Sequence, residues 1–332
     1  MLYIGGVKAP GILNHRKIQK MNTISNIRSI AALLCIMLSG CIREDLSNCP
    51  VNRDISHYLT FEYTKNIDFA DKFADAVTSL DVFVFDSNQK LAEIISDEGA
   101  SLKTENYQIV LHLPDGTYTL VAWGGSRNAY RIFDAVDNAA PLTEKTTRFD
   151  RLRLVLNNGH TFENTDNLFH GIAYDIHIRS GQPSHTHIGL TKNTNIIRVT
   201  VTGVFHPENI AVGCYAANGE YRFDNSVSNH KSLISYKPVR TENKIEVKSG
   251  FKTLRLLTGM KSELVVHDTD KNEDVFHRDL IELLRMSPDI CTNDDLDRYD
   301  VYDIKINLHA DMSASVIING YLVINSDKEL AK

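Results

Sequence analysis

The thiol of Cys41 is the side chain best placed for covalent chemistry. It follows the apolar run Ile30-Ala31-Ala32-Leu33-Leu34-Cys35-Ile36-Met37-Leu38 and the small residues Ser39 and Gly40. Residues 1–40 carry five basic groups (Lys8, Arg16, Lys17, Lys20, Arg28) and no acidic one. Basic residues, a short apolar run and small residues in that order make a secretory leader. Nine apolar residues are too few to cross a hydrocarbon core of about 30 Å. Cleavage after Gly40 would leave Cys41 as the first residue. Met21 to Gly40 forms a complete leader by itself, so Met21 is a second candidate for the start of translation.

Other candidate groups are weaker. His185 and His187 would point to the same side of a strand and could hold a metal with His177, but their setting is rich in Ser and Thr and shows no nearby carboxylate. Asn293-Asp294-Asp295-Leu296-Asp297 has the acidic spacing of a calcium loop but lacks its Gly at position six and its Glu at twelve, and reads as a polar loop. Gly124-Gly125-Ser126 lacks the Lys and the helix of a phosphate loop, and reads as the turn closing a strand at Trp123. The sequence has no H-E-x-x-H, no G-x-S-x-G and no G-x-x-x-x-G-K-[ST]. No enzyme, cofactor or metal is expected. Beyond Cys35 and Cys41 stand Cys49, Cys214 and Cys291, which allow one internal disulfide at most.

Leu38-Ser39-Gly40-Cys41 resembles the bacterial lipoprotein box, in which the thiol is diacylated and the Cys becomes the N-terminus. The alternative is an ordinary leader with an incidental Cys. Cleavage there leaves 292 residues with 31 basic and 42 acidic groups, a formal charge of −11. Two or more acyl chains hold a protein stably on a membrane, and no other segment approaches 18 apolar residues. Arg43, Glu44 and Asp45, just behind the Cys, resemble a surface-export signal of Bacteroidales lipoproteins. They also read as a solvated leader.

The elements behind this leader are mostly strands. The 332 residues suggest two domains, and a formal charge of −6 argues against a nucleic-acid partner. Leu80, Val82 and Val84 alternate with Asp81, Phe83 and Phe85, and Leu91 to Ile95 returns after a turn at Asp86-Ser87-Asn88. Tyr107 to Leu113 and Tyr118 to Trp123 flank Pro114-Asp115-Gly116 and read as the arms of a hairpin. Further strands are expected at 151–156, 197–202, 210–215, 244–247, 251–257, 263–266, 301–308, 314–318 and 321–325. Phe69, Phe73 and Val77 suggest a short helix with Asn66 as N-cap. Phe276, Leu280, Leu283 and Leu284 suggest one amphipathic helix over 272–286. The polar stretch His185 to Asn195 marks the expected boundary. The domains are thus a leader at 1–40, a lipidated segment at 41–50, and antiparallel β-sandwiches at 51–190 and 191–332.

Several segments in order resemble one family. They are Cys41 to Pro50, Leu59 to Asn66, Val82-Phe83-Val84-Phe85-Asp86, Leu113 to Gly125, Leu168-Phe169-His170-Gly171, Leu190 to Val199 and Ile317 to Tyr321, where Trp rather than Tyr321 would be typical. The chain is similar over this span to the fimbrial anchor lipoproteins of Bacteroidales. The resemblance implies two tandem transthyretin-like β-sandwiches and a few short helices. It also implies an outer-membrane lipoprotein, facing the exterior at the base of a fimbrium, that attaches the shaft and limits its length. Its partners would be shaft subunits, joined by strand addition at an open sheet edge. Two further readings stay open: a lipid-anchored glycan-binding β-sandwich protein, and an accessory or tip subunit.

Overall fold

A computed structural model describes residues 57–136, 139–228 and 233–327. They form 21 strands in five sheets, with a few short helices. The expected mostly β architecture is what the chain adopts.

Alternation builds the first half. Its five-stranded sheet runs, in spatial order, Thr191–Lys192, Phe169–Ile178, Gly116–Gly124, Ser79–Phe85 and Leu91–Glu98. Leu80, Val82 and Val84 project from one face into a core with Leu59, Phe61, Leu111 and Leu120. Phe83 and Phe85 project from the other into a core with Val121, Trp123 and Leu154, which continues through Ile197, Val199 and Phe251 of the second half. Strand Ser79–Phe85 is therefore buried throughout. A charge on such a strand must be paired, and Asp81 is: Arg127 grips both carboxylate oxygens, while Ser96 and Ser126 donate at 2.6 and 2.7 Å. Burial alone would raise the Asp81 carboxyl, but these hydrogen bonds outweigh it and hold it below the usual carboxylate range.

The second half faces a six-stranded sheet, ordered Val239–Glu242, Glu246–Leu254, Thr194–Thr202, Val301–Leu308, Ala314–Ile318 and Tyr321–Asp327, with a four-stranded one, ordered Ile234–Tyr236, Ile210–Ala216, Ser262–Asp268 and Glu273–Arg278. The expected pairing of 301–308 with 314–318 is present, and the last strand adds to it.

Several expectations change. The Pro114-Asp115-Gly116 segment does not close a hairpin. Ile109–Leu111 pairs with His57–Glu62, whereas Gly116–Gly124 pairs with Ser79–Phe85 and Phe169–Ile178. Both arms feed the same core from different sheets, so the turn carries the chain across that core. The span 272–286 is no single helix. It is strand Glu273–Arg278 and then helix Leu280–Leu284, because the Asp279 side chain accepts the Glu282 N–H and starts the helix there. Helix Phe73–Ala76 is equally short. Asn66 does not cap it but donates to the carbonyls of Tyr63 and Ala70, and Phe69 sits at φ 52° in the preceding loop. The strands expected at 244–247 and 251–257 merge into Glu246–Leu254. Two pairings are parallel, His57–Glu62 with Ser184–Gly189 and Thr194–Thr202 with Val301–Leu308.

The stretch 185–195 is mostly strand, and contacts across it are extensive. Glu220–Arg222 pairs with Leu152–Leu156, which pairs in turn with Tyr130–Asp134. Residues 293–297 form not a polar loop but part of helix Asn293–Arg298, opened by a reciprocal cap between Thr292 and Asp295. Its Asp297, 3% exposed, accepts hydrogen bonds from Lys65 at 2.7 Å and from Arg255 at 2.5 and 2.6 Å. Beside it Asp300 accepts from the Tyr63 hydroxyl at 3.1 Å and pairs with Lys192 at 2.8 Å. Removing one partner of a buried pair strands the other charge. Asp297→Ala is therefore expected to lower the unfolding free energy by about 3 kcal/mol in urea titrations; a loss below about 1 kcal/mol would show that the network contributes little.

Candidate functional site

Cys41, Arg43, Glu44 and Asp45 lie outside the described residues, as does Cys49. Of the described cysteines, Cys214 is buried, Cys291 is exposed, and the two are free thiols. Burial pushes the Cys214 thiol up to about 12, which makes it a packing residue.

The histidines are brought together only in part. His185 and His187 do share one side of their strand, and each ring lies within hydrogen-bond distance of the Thr60 hydroxyl, at 3.2 and 2.9 Å. Contrary to expectation a carboxylate stands near: Glu62 is 3.2 Å from His187. His177 is elsewhere, bonded to Thr117 at 3.0 Å. No group of three or more His, Cys, Asp or Glu suited to a metal occurs among the described residues. His57, in the neighbouring strand, lies on the other face of the pair, with its two ring nitrogens against Ser184 at 2.6 Å and Thr186 at 2.9 Å. These contacts tie the two parallel strands together on both faces.

The other motifs are structural as well. Gly125 adopts φ +69°, and a Cβ there would meet the Asn167 carbonyl oxygen at 1.8 Å, so only glycine closes this turn. Ser126 then faces Asp81. Trp123 is fully buried and packs edge-on against His170, ring centroids 4.5 Å apart. It cannot serve as an exposed stacking platform.

The surfaces left for assembly are sheet edges, where backbone groups lack a partner strand. Edge strand Leu91–Glu98 carries Glu93, Asp97 and Glu98. At edge strand Val239–Glu242, Arg240 and Glu242 pair with each other. Such charges discourage pairing with a foreign strand. The edge at Tyr321–Asp327 differs: its first five residues are uncharged, and Tyr321 and Leu322 are 43% and 57% exposed. Like the short uncharged edges Ile109–Leu111 and Ile234–Tyr236, its uncharged start leaves it open to another strand. Sequence reasoning located this strand but had no means of telling that it lies at an edge.

Comparison with known proteins follows the same line. The family of fimbrillin-A associated anchor proteins Mfa1 and Mfa2 matches residues 46–327. The chain belongs to this family. The minor fimbrium anchoring subunit Mfa2 of Porphyromonas gingivalis is 24% identical over 339 residues, spanning 96% of this chain and 100% of that protein. Its crystal structure superposes with a TM-score of 0.70 at 21% identity, over 82% of this chain and 99% of that one. A Bacteroides thetaiotaomicron structure named for polysaccharide binding gives 0.72 at 24% identity, over 82% and 98%. The sandwich fold read from sequence is thus the fold of the family. No helix among the described residues is long and apolar enough to cross a membrane.

His170 stands in one of the segments that carried the family resemblance, and it yields a pH dependence. Its Nε2 donates to the Phe223 carbonyl at 2.8 Å, and burial pushes the imidazole down to about 4. The unfolded chain, with a His near its ordinary value of about 6.5, therefore binds the extra proton between these limits. Stability is expected to fall as pH drops from about 6.5 toward 4, by roughly 3 kcal/mol from this group. His170→Gln, which keeps a donor for Phe223, should flatten that part of a pH series of denaturant midpoints; an unchanged slope would assign it to other groups.

Proposed function

We propose that this chain is a surface-exposed outer-membrane lipoprotein that anchors a fimbrium at its base. The single observation that carries the reading is the family match across residues 46–327. The leader and Cys41 supply the tether, with Arg43, Glu44 and Asp45 as the export signal behind it. Residues 51–190 and 191–332 act as two sandwiches, the first nearer the lipid and the second meeting the first shaft subunit. The Tyr321–Asp327 edge supports strand addition there, since a joining strand gains main-chain hydrogen bonds along its length. An anchor that occupies the terminal subunit also limits shaft growth. The role is assembly rather than catalysis.

A glycan-binding role is the second reading, favoured by the name of the Bacteroides thetaiotaomicron structure. The burial of Trp123 speaks against it, and a calorimetric sugar screen separates the two. Deleting the gene is expected to leave long, shed fibres in electron micrographs of the cell surface, whereas unchanged fibres would overturn the anchor reading. Cells producing Cys41→Ala protein should lose shaft attachment; normal attachment would remove lipid on Cys41 from the mechanism.

A further inference from the structure

At one end of the second half the two sheets part around a cavity of about 450 Å³, within the size range of ligand sites. Val204, Ile210, Val275 and Leu308 give it apolar walls. Phe205 and Met312 stand at its rim with 89% and 69% of their surface exposed. Singly exposed apolar residues are common; two beside one apolar cavity are the mark of a binding site.

The rim is built rather than loose. Gly203 adopts φ +78°, and a Cβ there would meet the Leu308 carbonyl oxygen at 1.9 Å. Met312 is held at φ 66° by its N–H on the His309 carbonyl at 3.1 Å, and the His309 N–H donates to the Ser313 carbonyl at 2.8 Å. A surface held in place before binding loses little conformational freedom when it is occupied.

The charge of the lining specifies the occupant. Asp268, Asp270 and Glu273 line the cavity against a single lysine, Lys271, which already pairs with Asp268 at 3.3 Å and Glu273 at 3.8 Å. The lining therefore keeps an excess of negative charge. His309 Nε2 is shielded from solvent and has no hydrogen-bond partner, and buried polar atoms in that state are rare. An apolar cavity with an acidic rim calls for a ligand that is both apolar and cationic. We infer that this cavity receives an extended segment of a partner protein, in which a bulky apolar side chain enters and neighbouring basic side chains meet Asp268, Asp270 and Glu273. An anionic membrane surface would be repelled by the same carboxylates. The proposal rests on the anchor reading only for the partner's identity, a shaft subunit. The site adjoins one end of the last strand pair, where Ala314, next to the lining residue Ser313, lies opposite Asp327.

The test uses the purified chain and two blocked octapeptides in a Gly/Ser background, one with a central Phe flanked by lysines and one with glutamates in their place. Isothermal calorimetry should show saturable binding of the lysine peptide alone, weakening as salt rises. Asp270→Lys combined with Glu273→Lys should weaken it about tenfold. Phe205→Ser combined with Met312→Ser should do the same without moving the melting temperature, because both side chains are exposed. Absence of saturable binding, equal binding of the glutamate peptide, or unchanged affinity in both variants would overturn the proposal. So would displacement of the peptide by anionic phosphatidylglycerol vesicles. Fibres that stay attached after gene deletion would sink the anchor reading while leaving the calorimetric result standing.

Discussion

Strand Ser79–Phe85 lies at the centre of this fold because neither of its faces meets solvent. One face supplies Leu80, Val82 and Val84 to the core of the first half. The other supplies Phe83 and Phe85 to a core that runs on into the second. Burying a Leu, Val or Phe side chain is worth about 1.5–3 kcal/mol, so both halves draw stability from one strand. The neighbouring features answer to that arrangement. Asp81 needs Arg127 and two serines because its face is largely buried, and Gly125 makes the tight turn that brings Ser126 and Arg127 to it. Trp123 fills the same layer against His170 and Tyr221.

Polar ties reinforce this apolar continuity. Glu220–Arg222 extends a sheet whose other two strands come from the first half. Asp297 and Asp300, from the second half, bind Lys65 and Tyr63 just after the first described strand. The two halves are thus coupled through packed side chains and paired charges rather than through a bare linker.

The sheet edges differ in what stands beside their unpaired backbone groups. Edges bearing Glu93, Asp97 and Glu98, or the Arg240–Glu242 pair, present charge along the strand. The Tyr321–Asp327 edge presents uncharged residues first. Charged edges of the first kind discourage random association, and the uncharged start of the last strand lacks that protection.

Local regularity made much of this legible in the sequence. The alternation at Leu80–Phe85 assigned each side chain to its observed face, the strands at 197–202, 301–308 and 314–318 stand where alternation put them, and ordered short segments pointed to the family. The Asp279 cap was also present in the sequence, but the helical spacing of Phe276 with Leu280, Leu283 and Leu284 masked it. Other features were not local. Whether Pro114-Asp115-Gly116 closes a hairpin or crosses a core depends on which strands lie beside its arms, and those come from residues 57–62, 79–85 and 169–178. The Asp297 network, the edge position of Tyr321–Asp327 and the cavity beneath Phe205 likewise join residues far apart in the chain. The sequence alone determined periodicity and family, because these are written in neighbouring residues. Pairing partners, edges and cavities were decided only by the tertiary structure, because register and burial depend on residues that meet in space after folding.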